Sequence, residues 1–299
     1  MIPSYLKLYG EGRLEEIKEK LLERLKRCDL CPRRCFVDRF EKKGFCKTSR
    51  YAYVSSFFLH FGEERELVGR GGSGTIFFSF CNLGCIYCQN YTISHQGEGE
   101  EVTPQVLARM MITLQENGAE NINFVTPTHV IAQIVEALPL AIEKGLRLPL
   151  VYNCGGYESC EVLKLIEGVF DIYMPDIKYS DNRIALKFSN APNYWEIVTS
   201  AVVEMHRQVG DLIIKEGRAL RGLLIRHLVL PNRLAGSFKI LDFIKKEISS
   251  DTYVNIMAQY YPCYKAYQFE ELSRRITEEE YSEVIEYAKR IGLRRACRH

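Results

Sequence analysis

Short apolar and β-branched runs alternate along most of the chain with longer stretches of helical periodicity. Apolar runs of this kind, bounded by turn residues, are typical of buried strands. Six of them occur, at residues 75–80, 121–126, 148–153, 170–178, 223–230 and 253–260. Because strand–helix–strand alternation favours parallel pairing, the pattern predicts an α/β fold whose parallel sheet forms an open or closed (β/α) barrel.

Two of the intervening helices carry start and stop signals. In "TPQVLARMMITLQENG", Thr103 is a candidate cap, Pro104 stands in the first turn and Gly118 follows the last turn. In "THVIAQIVEALPLAIEKG", Thr128 is the candidate cap and Gly145 the stop. These signals support the predicted alternation of strands and helices.

The first 60 residues differ from the repeats that follow them. A charged helix is predicted in "EGRLEEIKEKLLERLKR", and a group of four cysteines comes after it, at Cys28, Cys31, Cys35 and Cys46. Four thiols so close in sequence, with Pro32 and Gly44 to turn the backbone, predict a metal site that orders a segment too small to fold alone. The spacing leaves zinc and iron–sulfur open, and the tight segment "CPRRC" favours zinc or another structural role. We therefore divide the chain into a helix and four-cysteine segment, residues 1–60, and a barrel, residues 61–299.

Composition narrows the class of protein. The chain has 299 residues, 46% of them hydrophobic, and a net charge of +2, so neither a nucleic acid nor a membrane is the expected partner. The N-terminal residues lack the pattern of a signal peptide, and no apolar run approaches the roughly 20 residues of a membrane span. We expect a cytoplasmic protein. Its 11 cysteines then indicate metal binding or redox chemistry, because disulfides are rare in that compartment.

A second cysteine group follows the first barrel strand. In "FSFCNLGCIYCQN", three and then two residues separate Cys81, Cys85 and Cys88. A structural zinc site or an ordinary four-iron cluster takes four protein ligands, whereas three thiolates leave one iron open to a small molecule. With Tyr87 just before the last cysteine, this C-x3-C-x2-C spacing at a strand end resembles the radical S-adenosylmethionine (radical SAM) superfamily.

The resemblance implies a fold, two cofactors and a reaction. Members of this superfamily have a partial (β/α)6 TIM-like barrel of parallel strands. A [4Fe-4S] cluster on the three cysteines reductively cleaves SAM to methionine and a 5′-deoxyadenosyl radical, which abstracts a hydrogen atom. Residues 70–265 are similar to one branch, the glycyl-radical-enzyme activating enzymes, of which pyruvate formate-lyase activating enzyme is one. The resemblance therefore implies a glycyl radical enzyme as protein substrate and a flavodoxin or ferredoxin as low-potential electron donor.

Further segments at strand ends resemble the SAM-binding motifs of that branch. Here "TPTH" stands in place of its Gly-Gly-Glu turn, so Thr126 and Thr128, with His129 as a further candidate, would receive the methionine amino group. The segments "VYNCGGYE", "YMPDIKY" and "LLIRHLVLPN" are similar to its third, fourth and fifth strand ends. The resemblance assigns to SAM binding Tyr87, Thr126, Thr128, Asn153, Asp176, Lys178, Arg226, Leu228 and Tyr260.

The same resemblance implies a monovalent cation near the SAM carboxylate. Its ligands would be Cys154, Met174 and Asp176. The branch has an aspartate where this chain has Asn153, which removes a negative charge from that cation site.

Two alternatives to an activating enzyme stay open. One is a radical SAM enzyme of the same architecture that acts on a small molecule or on another modification site. The other is a non-catalytic metal-binding or electron-carrier protein, which would account for the cysteines at residues 28–46 but not for the residues at the strand ends.

Overall fold

The computed structural model describes residues 1–298. Its helices are α1 (Ser4–Gly10), α2 (Arg13–Lys26), α3 (Arg65–Val68), α4 (Tyr91–Ser94), α5 (Pro104–Glu116), α6 (Ile131–Glu143), α7 (Cys160–Leu165), α8 (Asn182–Ser189), α9 (Tyr194–Val209), α10 (Ser237–Phe243) and α11 (Glu278–Arg290). Its strands are β1 (Ala52–His60), β2 (Ser73–Phe78), β3 (Glu100–Val102), β4 (Ile122–Val125), β5 (Leu150–Cys154), β6 (Ile172–Pro175), β7 (Ile213–Lys215), β8 (Arg218–Leu228), β9 (Tyr253–Met257) and β10 (Ala296–Arg298). Tight 3₁₀ turns lie at Thr128–Val130, Pro231–Arg233, Ala266–Gln268 and Glu270–Leu272, and a π-helical turn lies at Ile244–Ile248.

The strands form one sheet in the order β10-β9-β8-β6-β5-β4-β2-β1-β3, with β7 paired to β8 outside this path. Every neighbouring pair from β2 to β10 is parallel, whereas β1 is antiparallel to both β2 and β3. The six predicted strands are β2, β4, β5, β6, β8 and β9, in that order. The sheet is not closed, because β10 and β3 at its two ends do not pair within the described residues. The predicted partial (β/α)6 barrel of parallel strands is therefore confirmed.

The antiparallel edge of the sheet was not predicted. Strand β1 pairs with β2 by an irregular register that shifts between Val54 and Ser56. Its outer half exposes Phe57 and Phe58 to solvent, so its residues do not alternate cleanly between apolar and polar. The domain boundary at residue 60 stays a prediction, and in the structure β1 pairs with β2 across it.

Of the two predicted helix caps, one is confirmed and the other is wrong. Thr103 caps α5 by accepting a hydrogen bond from the Val106 N–H, as its position before Pro104 indicates. Thr128 does not cap α6, so that prediction was wrong. A 3₁₀ turn separates it from Ile131, and its hydroxyl donates to a buried carboxylate, that of Glu158, instead.

The N-terminal segment packs against the barrel. Helix α2 buries one face, made of Leu14, Ile17, Leu21 and Leu25, and this face contacts α6. These side chains belong to the same apolar core as the outward faces of the strands. A smaller core on the inner face includes Val151, Met174 and Leu224 from the strands and Leu67 from α3, so this short helix fills the barrel interior.

Candidate active site

A cavity of about 260 Å³ lies where the parallel strands reach their carboxyl ends. Barrel enzymes place their active sites at this end. The predicted site residues that line the cavity are Cys81, Cys85, Tyr87, Cys88, Thr126, Asn153, Cys154, Asp176, Lys178, Arg226 and Leu228. Among the described residues, Thr128, Met174 and Tyr260 lie outside this lining. The structure thus brings the cysteine triplet together with most of the predicted SAM-binding side chains.

The three cysteines of residues 81–88 lie in the loop between β2 and α4, which we call the cysteine loop. Each sulfur accepts at least one hydrogen bond. Leu83 N–H donates to Cys81 Sγ (3.3 Å), the Ser189 hydroxyl to Cys85 Sγ (2.9 Å) and the Ser94 hydroxyl to Cys88 Sγ (3.1 Å). Such bonds stabilise a thiolate more than a thiol, so they suit sulfurs that bind metal.

Burial sets the protonation of these thiols. It raises the pKa of Cys81, Cys85 and Cys88 above the ordinary value, and the charge of a neighbouring thiolate adds to the increase at each of them. Without a metal, the thiols therefore stay protonated at neutral pH. Metal binding releases those protons, because only the thiolate is a ligand.

Two cations share one carboxylate across the cavity from the cysteines. Asp176 Oδ2 lies 2.6 Å from Lys178 Nζ, and Asp176 Oδ1 lies 2.8 Å from Arg226 Nε. Arg226 also donates to Asn153 Oδ1 at 2.7 Å. Burial by itself would raise the pKa of Asp176, but Arg226 and Lys178 hold it below its ordinary value. Burial by itself would lower the pKa of Lys178, but Asp176 raises it, so all three groups are ionised at neutral pH.

Two acidic residues that were not predicted from the sequence lie next to the group formed by Asp176, Lys178 and Arg226. Glu63 Oε2 is 3.6 Å from Arg226 Nη1, and Glu63 also pairs with His60. The neighbouring Glu64 accepts a hydrogen bond of 2.9 Å from Asn255. They come from "FGEERE", which has the composition of an exposed turn, and only the folding of α3 into the barrel places them there.

Thr126 has an unusual backbone. Its φ is 62°, a region that β-branched residues rarely adopt, and its N–H donates to the Asn153 carbonyl at 2.8 Å. Backbone strain of this kind is found at functional sites. Thr126 lines the cavity.

Thr128 and His129 point elsewhere. Thr128 donates to Glu158 Oε1 at 2.6 Å, inside the core. The His129 ring is buried, its Nε2 lies 2.9 Å from the Ser79 carbonyl oxygen, and burial lowers its pKa to about 3. Both side chains therefore pack in the core around the site.

Two further predicted residues, Met174 and Tyr260, lie outside the cavity lining. Met174 packs in the inner core beside Leu67, whereas Cys154 lines the cavity and packs in the outer core, so these two predicted cation ligands belong to different faces of the sheet. Tyr260 is buried behind Tyr87, with ring centroids 5.8 Å apart, and its hydroxyl donates to a backbone carbonyl. It can support Tyr87 rather than touch a ligand.

The N-terminal cysteines lie next to the cysteine loop. Cys28, Cys31 and Cys46 are buried and Cys35 is half-buried. None of the ten cysteines whose side chains are described forms a disulfide. Among the side chains that the structure describes, no three of His, Cys, Asp or Glu are arranged to surround a single metal ion.

Comparison with known proteins decides the family. The model of the radical SAM superfamily matches residues 75–214, from β2 through the cysteine loop to β7. Residues 75–214 form a radical SAM domain. A Methanocaldococcus jannaschii protein, "Uncharacterized protein MJ0674", is 34% identical over 296 residues, which cover 95% of this chain and 81% of that protein.

Two solved radical SAM structures share the fold. Streptococcus suis SuiB bound to S-adenosylmethionine matches 74% of this chain at a TM-score of 0.51 and 10% identity. HydG, a maturase of the [FeFe]-hydrogenase, matches 75% of this chain at a TM-score of 0.50 and 11% identity. This chain spans about half the length of each, 48% of SuiB and 50% of HydG.

Family membership gives this radical SAM protein its cofactors. They are a [4Fe-4S] cluster and S-adenosylmethionine, as predicted. The buried thiols of the cysteine loop fit such a cluster, because each already accepts a hydrogen bond that stabilises its thiolate. Within residues 1–298, no helix has both the length and the apolar character needed to cross a bilayer.

Proposed function

We propose that this chain is a radical SAM enzyme similar to the glycyl-radical-enzyme activating enzymes. Its [4Fe-4S] cluster would be held by Cys81, Cys85 and Cys88, and its substrate would be a backbone glycine of a partner protein. The observation that carries the proposal is that these three thiols share one cavity with Asp176, Lys178, Arg226 and Asn153.

When bound, the cluster and SAM together supply a 5′-deoxyadenosyl radical. The cysteine loop would fix one side of the cavity, because each sulfur is oriented by its own hydrogen bond. Three ligands leave one iron free for the methionine part of SAM. Tyr87, buried beside the loop, would lie against the adenine.

Lys178 and Arg226 would bind the SAM carboxylate. Both cations are held by Asp176, so their ammonium and guanidinium groups are placed before SAM arrives. Asp176 and Glu63 balance the two positive charges in the absence of SAM. The carboxylate would therefore add one negative charge to a neutral group, and the methionine amino group would compensate for it.

Thr126 would receive that amino group. Of the three residues in "TPTH" that the sequence offers, it is the one that lines the cavity, and its strained backbone turns there. Thr128 and His129 would support it from behind through the contacts they make in the core.

A backbone glycine is a chemically suitable substrate. Loss of one Cα hydrogen gives a radical that is delocalised over the two flanking amide groups. The hydrogen atom would be transferred to the 5′ carbon of the deoxyadenosyl radical, giving 5′-deoxyadenosine. The proposed partner classes are thus a glycyl radical enzyme as substrate and a flavodoxin or ferredoxin as electron donor.

The chemistry is tested by anaerobic reconstitution with iron and sulfide, followed by SAM and dithionite. We expect 5′-deoxyadenosine and methionine in equal amounts. Absence of both products, with the cluster intact, would remove the radical proposal.

The substrate class needs a separate test. A glycyl radical enzyme encoded beside this chain is produced with glycine deuterated at Cα and mixed with the reconstituted protein. We expect deuterium in the 5′-deoxyadenosine and a glycyl radical EPR signal. Cleavage of SAM without deuterium transfer from any such partner would favour the small-molecule alternative.

A further inference from the structure

Arg39 is a fully buried guanidinium for which the structure provides no carboxylate. Its exposed fraction is 0%. Its Nε donates to the Ser49 carbonyl at 3.0 Å and its Nη1 to the His129 carbonyl at 3.1 Å, while Nη2 has no hydrogen-bond partner in the described chain. An arginine side chain cannot lose its proton in a protein. A buried positive charge without a counter-charge is strongly unfavourable, so a negative group must be supplied nearby.

The atoms nearest to this charge that can become anionic are cysteine sulfurs. Arg39 Nη1 lies 3.7 Å from Cys28 Sγ. Gly44 lies against two more of the four N-terminal sulfurs, since a Cβ placed on it would be 3.6 Å from both Cys35 Sγ and Cys46 Sγ. Cys31 interacts electrostatically with the other three cysteines. The four thiols therefore lie close together beside Arg39.

Backbone amides point at the same sulfurs. The Leu30 N–H donates to Cys28 and the Arg33 N–H donates to Cys31. The Phe45 N–H donates to Cys35 Sγ at 3.3 Å. Amide hydrogen bonds to sulfur stabilise the thiolate form. The hydrogen bonds in this part of the chain thus favour thiolate sulfurs. Arg39 is a second, independent observation that requires negative charge at the same place.

We propose that Cys28, Cys31, Cys35 and Cys46 hold a second iron–sulfur cluster and that Arg39 is its buried counter-cation. Four thiolates on such a cluster leave a net negative charge that Arg39 offsets. A zinc ion held by the same four thiolates would also be offset by Arg39, and its sulfurs would all lie about 2.3 Å from one ion. A cluster binds each thiolate through a different iron and so accepts more widely spaced sulfurs.

The second cluster would fix the N-terminal segment against the cysteine loop. Arg33, between two of its ligands, donates through Nε to the Asn82 carbonyl at 2.8 Å, and Asn82 follows Cys81 directly. Lys47, next to Cys46, donates to the His95 carbonyl at 3.0 Å. His95 Nε2 in turn lies 2.9 Å from the Cys85 carbonyl oxygen.

The first test removes the barrel cluster. The full-length triple variant C81A/C85A/C88A is purified without oxygen from cells supplied with both iron and zinc, and its metals are measured. About four irons per chain and no zinc are expected. One zinc per chain, or neither metal, would overturn the proposal. SAM chemistry is absent from this variant, so the outcome is independent of the proposed function.

The second test examines Arg39 in two backgrounds. In the native chain, Arg39→Met should cause loss of the second cluster, about half of the total iron, whereas Arg39→Lys should retain it. In a variant whose four N-terminal cysteines are alanine, the same Arg39→Met change should raise the melting temperature, because it removes an uncompensated buried charge. If Arg39→Met lowers the melting temperature in both backgrounds and leaves the iron content unchanged, Arg39 is not the counter-cation. The alanine background is informative even if Arg39→Met does not fold in the native chain.

Discussion

The two cysteine regions of this radical SAM protein each place thiols near buried positive charge, but they balance that charge differently. In the barrel, Lys178 and Arg226 share Asp176 and Arg226 also pairs with Glu63, so the two cations are neutralised before any cofactor is present. In the N-terminal segment, Arg39 has carbonyl oxygens and a sulfur as neighbours and no carboxylate in the described chain. The barrel can therefore bind and release a charged ligand, whereas the N-terminal segment needs its anion permanently.

The buried carboxyl group of Glu158 shows why a buried acid and a buried arginine differ. Glu158 is buried and accepts hydrogen bonds from Thr128 (2.6 Å) and Tyr152 (2.9 Å), but no cation contributes to its environment. Burial raises its pKa to about 7. A carboxylic acid can respond to burial by keeping its proton, and arginine has no such option. This asymmetry is why Arg39 indicates a metal centre while Glu158 indicates only a protonated acid.

The largest effect is expected from the barrel thiols. Cys85→Ala should abolish SAM cleavage, because the cluster loses one of three ligands, and about half of the iron should remain, in the N-terminal segment. The measurement is 5′-deoxyadenosine formation together with iron content. Cys160→Ala, at a half-buried thiol outside the cavity, is the matched control and should retain both values. Loss of all iron in Cys85→Ala would show that the two regions are not independent.

The next effect concerns Glu158 and pH. Its folded pKa of about 7 exceeds the ordinary value of 4.5, so the unfolded chain ionises first as pH rises. Stability should therefore fall between pH 4.5 and 7 and then level off, by an amount on the order of 3 kcal/mol. Glu158→Gln resembles the protonated acid and should not show this fall.

Urea unfolding at pH 5, 6, 7 and 8 measures the effect. Glu116→Gln, at an exposed position of α5, is the control and should keep the native pH dependence. Parallel pH profiles for native protein and Glu158→Gln would mean that Glu158 is ionised in its pocket despite having no cation.

A third effect separates SAM binding from cluster binding. Lys178→Met should weaken SAM binding roughly 10- to 150-fold, because a charge-assisted contact contributes about 1.5–3 kcal/mol. Arg226→Lys should retain only part of the native SAM affinity, since a point charge cannot reproduce a guanidinium fork. Equilibrium SAM binding and iron content are measured together. Loss of iron in Lys178→Met would make Lys178 structural rather than a SAM ligand.

The smallest effect concerns the contact between the two regions. The Arg33 guanidinium donates to Asn82 and lies 3.9 Å from the Phe45 ring centroid. Arg33→Ala should cost about 1 kcal/mol and speed hydrogen exchange in residues 81–88, with iron content unchanged. The control is Arg34→Ala, which removes an exposed ion pair with Glu161 and should change stability by less. Equal effects of the two substitutions would mean that Arg33 does not dock the segments.

Much of the fold could be predicted from the sequence because the residues that determine each strand or helix are neighbours in the chain. The six parallel strands have continuous apolar runs, and Thr103 with Pro104 gives an unambiguous helix start. The residues of the barrel site follow strand ends in the sequence, and most of them line one cavity in the structure. The role of each in SAM binding stays a prediction.

The features that could not be predicted depend on long-range contacts. Thr128 resembles a helix cap in sequence, but a buried carboxylate competes for its hydroxyl. Glu63 belongs to a charged turn, and only the insertion of α3 into the barrel brings it to Arg226. Arg39 is one of many basic residues in "CPRRCFVDRFEKK", and nothing local distinguishes it from its exposed neighbours.

The most direct test of the central claim is the EPR spectrum of the anaerobically purified, dithionite-reduced protein with and without SAM. The claim is that Cys81, Cys85 and Cys88 hold a cluster with one iron open to SAM. We expect two reduced-cluster signals, of which one changes when SAM is added and disappears in C81A/C85A/C88A. A spectrum that SAM leaves unchanged, in protein with full iron content, would mean that no iron of the cluster is open to SAM.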